Sequence, residues 1–177
     1  LEAIARKEGF SGPIMGWDWF FYAEKLRQER YALDEAELKP YFQLERMTEA
    51  MFDAAGRLYG VAFKELTGVP LYHPDARLYE VSDKASGAIV GVFIADSFAR
   101  PTKRGGAWMN EFRNQSRNRS GGYPYPIVIN NNNFAKAPAG KPTLLSLDDV
   151  RTLFHEFGHG LHGLLSNVTY NRLAGTN

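Results

Sequence analysis

Apolar residues in the first third of the chain recur at helical spacing. The segment from Trp17 to Leu33 combines aromatic residues with strong helix formers, and Asp34 followed by EAEL is typical of a capped restart. Pro40 fits the first turn of a further helix. The buried stripe of that helix comprises Phe52, Ala55, Tyr59, Ala62, Phe63 and Leu66. We therefore predict long, packed helices over residues 1–70, with the aromatic residues in the core.

The middle of the chain changes to the shorter period of β-strands. Two prolines and a glycine interrupt the helical pattern in LTGVPLYHPD. Strands are then predicted in RLYEVSD, AIVGVFIADSF, AWMNEFRNQ and the segment from Ile127 to Phe134. Residues 71–177 should form this sheet and a helix at 147–165, as one continuous domain. The predicted fold class is mostly α with a small β-sheet.

The last predicted strand ends in four asparagines, Asn130, Asn131, Asn132 and Asn133. One interpretation is a strand that frays into a polar turn, because asparagine tolerates left-handed backbone. The other is an exposed sheet edge that pairs with an extended peptide, with the asparagine amides adding contacts. Its position as the last strand before the helix at 147–165 favours the second interpretation, and the four asparagines become candidate substrate-binding residues.

That helix has a marked beginning and an apolar surface. Ser146 and Asp149 have the spacing of a capping box, and Asp148 adds charge near the positive end of the helix dipole. The helix should therefore start near Leu147. Its apolar residues are Val150, Leu153, Phe154, Phe157, Leu161, Leu164 and Leu165. They cover most of the circumference, which predicts a buried helix.

The same helix carries His-Glu-x-x-His as His155, Glu156 and His159, and three of the chain's four histidines lie between residues 155 and 162. This spacing places two imidazoles one turn apart on one face, with a carboxylate beside them, as in zinc hydrolases. A chance occurrence in a chain of this length has odds on the order of one in a few hundred. We expect the histidines to bind Zn²⁺ and Glu156 to act as general base.

A zinc hydrolase needs a third protein ligand, which the motif does not supply. His162 lies roughly 10 Å from His155 along the helix axis, too far to join the same site easily, and it is predicted to support or pack beside the site instead. The metzincin pattern would require histidine where Leu165 stands. No Asp or Glu occurs from Phe157 to Asn177.

Composition sets outer limits on these predictions. The chain has 177 residues, 44% of them hydrophobic, which is enough for a substantial core. A net charge of +1 gives no general attraction to nucleic acid or membrane surfaces, and neither is expected as a partner. The absence of cysteine excludes disulfides and thiolate ligands. Without a signal-peptide pattern at Leu1, we expect a cytoplasmic protein, and the chain reads as a fragment.

Several segments together resemble the oligopeptidase family of thimet oligopeptidase and oligopeptidase A, with the bacterial peptidyl-dipeptidase branch most similar. These are HEFGHGLHGLLSNVTYNRLAGTN, FYAEKLRQERYALDEAELKPYFQLERM, GVPLYHPD, FARPTKRGGAW and INNNNFAK. The resemblance implies a zincin-like catalytic core within a larger, helical, two-lobed peptidase. It implies one zinc per full-length chain, held by His155, His159 and a glutamate beyond Asn177, with Glu156 as base.

The implied activity is cleavage of short peptides in the cytoplasm, with release of C-terminal dipeptides in the peptidyl-dipeptidase branch. Internal cleavage by the same family is the alternative. Because the third ligand and a downstream tyrosine loop lie outside the chain, this segment is expected to be inactive alone, or to bind peptide without cleaving it. A nucleic-acid site would need the basic residues Arg100, Lys103, Arg104, Arg113, Arg117 and Arg119. A solvated surface, or a site for a peptide carboxylate, explains them as well.

Overall fold

A computed structural model describes residues 1–32, 35–117 and 125–176. The chain divides into two compact units, Leu1–Pro40 and Tyr41–Asn177. The division predicted at residue 70 therefore lies inside the second unit. Arg119, one of the basic residues considered for nucleic acid, lies outside the described residues.

The first unit is helical in its described part. Its helices are α1 (Glu2–Lys7), α2 (Trp19–Tyr31) and α3 (Glu35–Leu38). Tyr22 of α2 is buried, and its ring lies 5.9 Å from that of Phe10. Two ion pairs also join α2 to α1 and the residue after it, Lys7 with Glu29 and Lys25 with Glu8. Helix α2 lies within the predicted segment, and its last turn is closed by Ala32 in left-handed conformation.

The second unit is built on a five-stranded mixed sheet. Its strands are β1 (Val61–Glu65), β2 (Arg77–Asp83), β3 (Ile89–Phe98), β4 (Trp108–Arg113) and β5 (Ile127–Phe134). The order is β1-β2-β3-β5-β4. Only the β3 and β5 pair is parallel among these neighbours. A sheet of this size means that the mostly α class is not confirmed.

The prediction that β5 forms an exposed edge is wrong. Residues 127–134 pair with β3 on one side, and residues 127–131 pair with β4 on the other. The outer strand at this end of the sheet is therefore β4, which no described strand covers on its far side, and β1 is the outer strand at the other end. Alternation along β5 indicated a strand but could not indicate its neighbours, because strand order depends on pairing between distant segments.

Two long helices, α4 (Leu44–Tyr59) and α5 (Leu147–Leu164), pack on one face of the sheet. The core between them is aromatic. Phe52 of α4 stacks on Phe63 of β1 with ring centroids 4.2 Å apart, and Phe157 of α5 lies 5.4 Å from Phe93 of β3. Val128 of β5 is completely buried in the same cluster. The core thus fixes α5 against the centre of the sheet.

The predicted helical stripe does not continue to Leu66. Helix α4 ends at Tyr59 because Gly60 adopts the left-handed conformation, with a φ of 68° that is favourable for glycine. Ala62 and Phe63 belong to β1 instead. Phe52 and Phe63 still meet in the core, but across a helix and a strand. In the described part of the chain, no helix is long and apolar enough to cross a bilayer.

Candidate metal site on helix α5

Helix α5 begins with the predicted capping box. The Ser146 hydroxyl accepts a hydrogen bond from the Asp149 amide at 3.0 Å, and the Asp149 carboxylate accepts one from the Ser146 amide at 2.9 Å. These bonds satisfy two of the amide groups that a helix start leaves open, while Asp148 and Asp149 complement the dipole. The predicted start at Leu147 is confirmed.

The helix is buried on one face only. Leu153, Phe157 and Leu164 are at most 4% exposed, whereas Phe154 is 37% exposed. His155 and His159 lie on the exposed side with it. The prediction of a helix buried all round is therefore wrong. Apolar residues occur on both faces, and only the packing against the sheet decides which of them become core.

Two glycines bring α5 unusually close to the sheet. A Cβ atom at Gly160 would lie 2.9 Å from Asn130 Oδ1 on β5. A Cβ atom at Gly163 would lie 2.6 Å from Glu111 Oε1 on β4. A side chain at either position would require these neighbours to shift or the helix to move away from the strands. The glycines therefore set the depth of the histidine-bearing helix over β5 and the edge strand β4.

The two histidines of the motif point at a common position. Their Nε2 atoms are 3.1 Å apart, and their rings are perpendicular with centroids 4.7 Å apart. Zinc–nitrogen bonds of about 2.0–2.1 Å at a tetrahedral angle would separate two imidazole nitrogens by roughly 3.3 Å. The pair therefore fits two ligands of one zinc ion. The same distance would also fit a hydrogen bond between the rings if one of them donates.

Glu156 follows His155 and is half-buried, between the exposed histidine face and the core face. Its carboxylate has no hydrogen-bond or ion-pair partner among the residues that the structure describes. An uncommitted carboxylate beside two potential metal ligands can accept a proton, which is the property required of a general base.

The described ranges contain no group of three His, Cys, Asp or Glu side chains that could hold a metal ion together. His162 is exposed one turn beyond His159 and is not part of such a group. It lies near the carboxylate of Glu111 on β4. The pKa of Glu111 is raised, because the effect of burial outweighs the opposing effect of the His162 charge. The role of His162 beside the site stays a prediction.

The asparagines of β5 are not at an open edge. Asn130, Asn131 and Asn132 are at most 2% exposed. The Asn133 amide donates hydrogen bonds to the carbonyl oxygens of Arg104 and Gly106, at 2.8 and 2.6 Å. Side chains alternate along a strand, so Asn130 faces α5 and Asn131 faces the opposite side of the sheet. Neither asparagine interpretation anticipated this burial.

A buried polar cluster on the side of the sheet opposite α5 was not anticipated either. Asp96 of β3 is 1% exposed and accepts two hydrogen bonds of 2.7 Å from Arg100. Lys103 and Tyr72 also donate to it, at 3.0 and 2.8 Å. Burial raises the pKa of Asp96, but these bonds outweigh burial and lower it to about 2. The signal available in the sequence was an aspartate within an apolar strand, followed closely by basic residues.

Comparisons with known proteins place these features in a family context. The family model described as Peptidase family M3 matches residues 1–177. The chain is 46% identical to the dipeptidyl carboxypeptidase of Escherichia coli strain K12, over 100% of this chain and 26% of that protein. It is 38% identical to oligopeptidase A of the same strain, over 95% of this chain and 25% of that protein.

A more distant relative, the probable thimet oligopeptidase of Arabidopsis thaliana, is 29% identical over 99% of this chain and 25% of its own length. The chain therefore spans about a quarter of the length of the curated relatives it matches.

Proposed function

The chain belongs to peptidase family M3, and we propose that it carries the metal-binding helix of a zinc-dependent peptidase. The resemblance stated from the sequence is thereby confirmed. In this proposal His155 and His159 are metal ligands and Glu156 is the general base. The observation that carries it is the 3.1 Å separation of the two Nε2 atoms on an exposed helix face.

A third protein ligand is needed to complete the site, and we propose that a glutamate beyond Asn177 supplies it. This follows from the family resemblance and agrees with the lack of a third donor among the described residues. When bound, zinc would supply Lewis acidity, which makes water more acidic and a peptide carbonyl more electrophilic. Glu156 would accept the proton of the attacking water and deliver it to the leaving nitrogen.

The substrate in this proposal is a short peptide that adds to the sheet at β4. Strand β4 is at the edge, and α5 packs against both β4 and β5. A peptide paired with β4 would receive main-chain hydrogen bonds. We propose β4 in place of β5 as the strand that pairs with the peptide, because the main chain of β5 is already paired on both sides.

Release of C-terminal dipeptides is the specificity that we propose. The dipeptidyl carboxypeptidase described above is more similar to this chain than oligopeptidase A is. Internal cleavage remains the alternative within the family. A cytoplasmic location also stays a prediction.

Zinc titration of the whole enzyme, in which the third ligand would be present, followed by calorimetry and by elemental analysis after dialysis, tests the metal assignment. We expect one zinc per chain, with binding lost in His155→Ala and in His159→Ala. His162→Ala is the matched control, since it removes a histidine from the same exposed helix face and should retain zinc. Circular dichroism of each variant checks that α5 still forms.

The base is tested in the whole enzyme. Glu156→Gln should leave the zinc content unchanged and reduce peptide cleavage by about 10²–10⁴-fold, the usual contribution of a general base. Zinc retained equally in all three histidine variants would refute the metal assignment. A non-catalytic role would be supported instead if the parent binds peptide but hydrolyses it no faster than the Glu156→Gln variant does.

A further inference from the structure

A cavity of about 830 Å³ lies on the side of the sheet opposite α5. Ile129 and Asn131 of β5 line it, and they alternate with Val128 and Asn130, which face the helix. Its remaining walls come from Tyr72, from the end of β3, from the segment that follows β3 and from β4. Apart from Tyr72, these residues are Asp96, Arg100, Thr102, Lys103, Arg104, Gly105, Trp108 and Phe112. The cavity therefore adjoins the edge strand from the face that the histidines do not occupy.

The lining carries an excess of positive charge. Asp96 is the only carboxylate among the described residues that line the cavity, whereas Arg100, Lys103 and Arg104 are cationic. Arg100 and Lys103 are both committed to Asp96. The Arg104 side chain has no ion-pair or hydrogen-bond partner among the described residues, and it is exposed. One guanidinium is thus available to an anion that enters the cavity.

A second, independent feature is the amide of Asn131. This side chain is 2% exposed and lines the cavity, and its Nδ2 atom is buried without a hydrogen-bond partner in the described part of the chain. Buried polar groups in folded proteins are almost always paired, so an unpaired donor on a residue that lines a cavity is a candidate partner for an acceptor that enters it. Arg104 and Asn131 offer two kinds of donor to the same group.

The cavity also has aromatic walls suited to the apolar part of a ligand. Trp108 is 41% exposed and Phe112 is 65% exposed, and both belong to β4. The ring of Tyr72 also lines the cavity, and its hydroxyl donates a hydrogen bond to Asp96. A ligand with a short apolar stem and an acceptor at its tip would use both the rings and the donors.

We propose that this cavity is a specificity pocket for an acidic side chain of a peptide that pairs with β4. The proposal rests on the function proposed above, because it requires that peptide to lie along the edge strand. Successive side chains of an added strand point to opposite faces of the sheet. One set would face α5, and the alternate set would face Trp108, Phe112 and the donors Arg104 and Asn131.

Paired peptides test this pocket directly. Binding of C-terminally amidated hexapeptides that differ only by glutamate or glutamine at one position would be measured with the full chain by calorimetry. A metal chelator prevents any cleavage during the measurement. We expect the glutamate peptide to bind about tenfold more tightly at one position, as one charge-assisted hydrogen bond implies. The same peptides with a free C-terminus separate the contribution of the terminal carboxylate.

Two variants assign that preference to the pocket. Arg104→Gln should abolish the tenfold difference, while Arg46→Gln, an exposed arginine on α4 of the same unit, should retain it. Asn131→Leu should weaken binding of the glutamate peptide without lowering the unfolding midpoint, because it removes an unpaired buried donor.

Equal binding of both peptides, or a preference that survives Arg104→Gln, would overturn the pocket. So would an affinity that follows only the terminal carboxylate. In each case the zinc titration still decides the peptidase proposal by itself. If the protein binds zinc but none of the peptides, pairing of a peptide with β4 is rejected, and the pocket is rejected with it.

Discussion

The close seating of α5 on the sheet can be tested with two glycines of the same helix. In Gly160→Ala, the new Cβ atom would lie 2.9 Å from Asn130 Oδ1 and 3.5 Å from Val128 Cγ1. In Gly158→Ala, nothing lies within 4 Å of the new atom. Both changes replace glycine by a better helix former, so their intrinsic helix gain is matched. The difference between them reports the contacts of residue 160 with β5 and with Phe93 of β3.

The magnitudes follow from those distances. An alanine in a helix interior is favoured over glycine by about 1 kcal/mol, which Gly158→Ala should gain in full. Overpacking of a dense core costs about 1–3 kcal/mol. Gly160→Ala should therefore change the free energy of unfolding by between roughly zero and 2 kcal/mol in the destabilising direction. It should lie about 1–3 kcal/mol below Gly158→Ala.

Urea unfolding of the 177-residue chain, followed by circular dichroism, measures both values. The two variants must keep the parent's slope against urea, because a changed slope would mean a changed folded or unfolded state. If Gly160→Ala is as stable as Gly158→Ala, the helix does not sit on Asn130 as described. The glycine would then have no role in positioning the histidines.

Two further predictions concern stability. Ser146→Ala should lower the free energy of unfolding by about 1 kcal/mol, the usual value of an N-cap, as measured by the same urea titration; an unchanged midpoint would contradict the capping box. The pKa of Asp96 in the folded state is about 2, below its ordinary value of 3.8, so the Asp96 carboxylate takes up a proton more readily in the unfolded chain. The ionised Asp96 therefore contributes about 2 kcal/mol to the free energy of unfolding above pH 4, and this contribution should be lost as the pH falls towards 2. Asp96→Asn should remove this pH dependence and destabilise the chain at neutral pH, because Arg100 and Lys103 lose their anion. A parent and a variant with the same pH profile would refute that account.

Local signals in the sequence predicted local features well. The capping box at Ser146 set the start of α5, because its two hydrogen bonds join residues only three positions apart. The spacing of His155 and His159 likewise predicted their common face, which the 3.1 Å between their Nε2 atoms bears out as geometry. Their binding of zinc stays a prediction.

Features that depend on distant residues were not predictable in the same way. The place of β5 inside the sheet follows from pairing with β3 and β4, and no property of INNNNF specifies those partners. The sequence does not indicate which face of α5 is exposed, because the exposed residue Phe154 is as apolar as the core residue Phe157. The helix assigned to Phe63 failed because one left-handed glycine, Gly60, outweighed the periodicity around it.

The insertion of β5 between β3 and β4 has a consequence for how this unit assembles. Partners such as Ile94 and Ile129 join segments more than thirty positions apart, whereas Ser82 and Ile89 are joined across a short turn. Closing the longer loop costs more chain entropy, so pairing of this kind is slow to form. Strand β4 reaches the sheet only through β5, and α5 rests on both. We therefore expect the pairing of β3 with β5, which joins β4 and the support of the histidine helix to the rest of the sheet, to form late in folding.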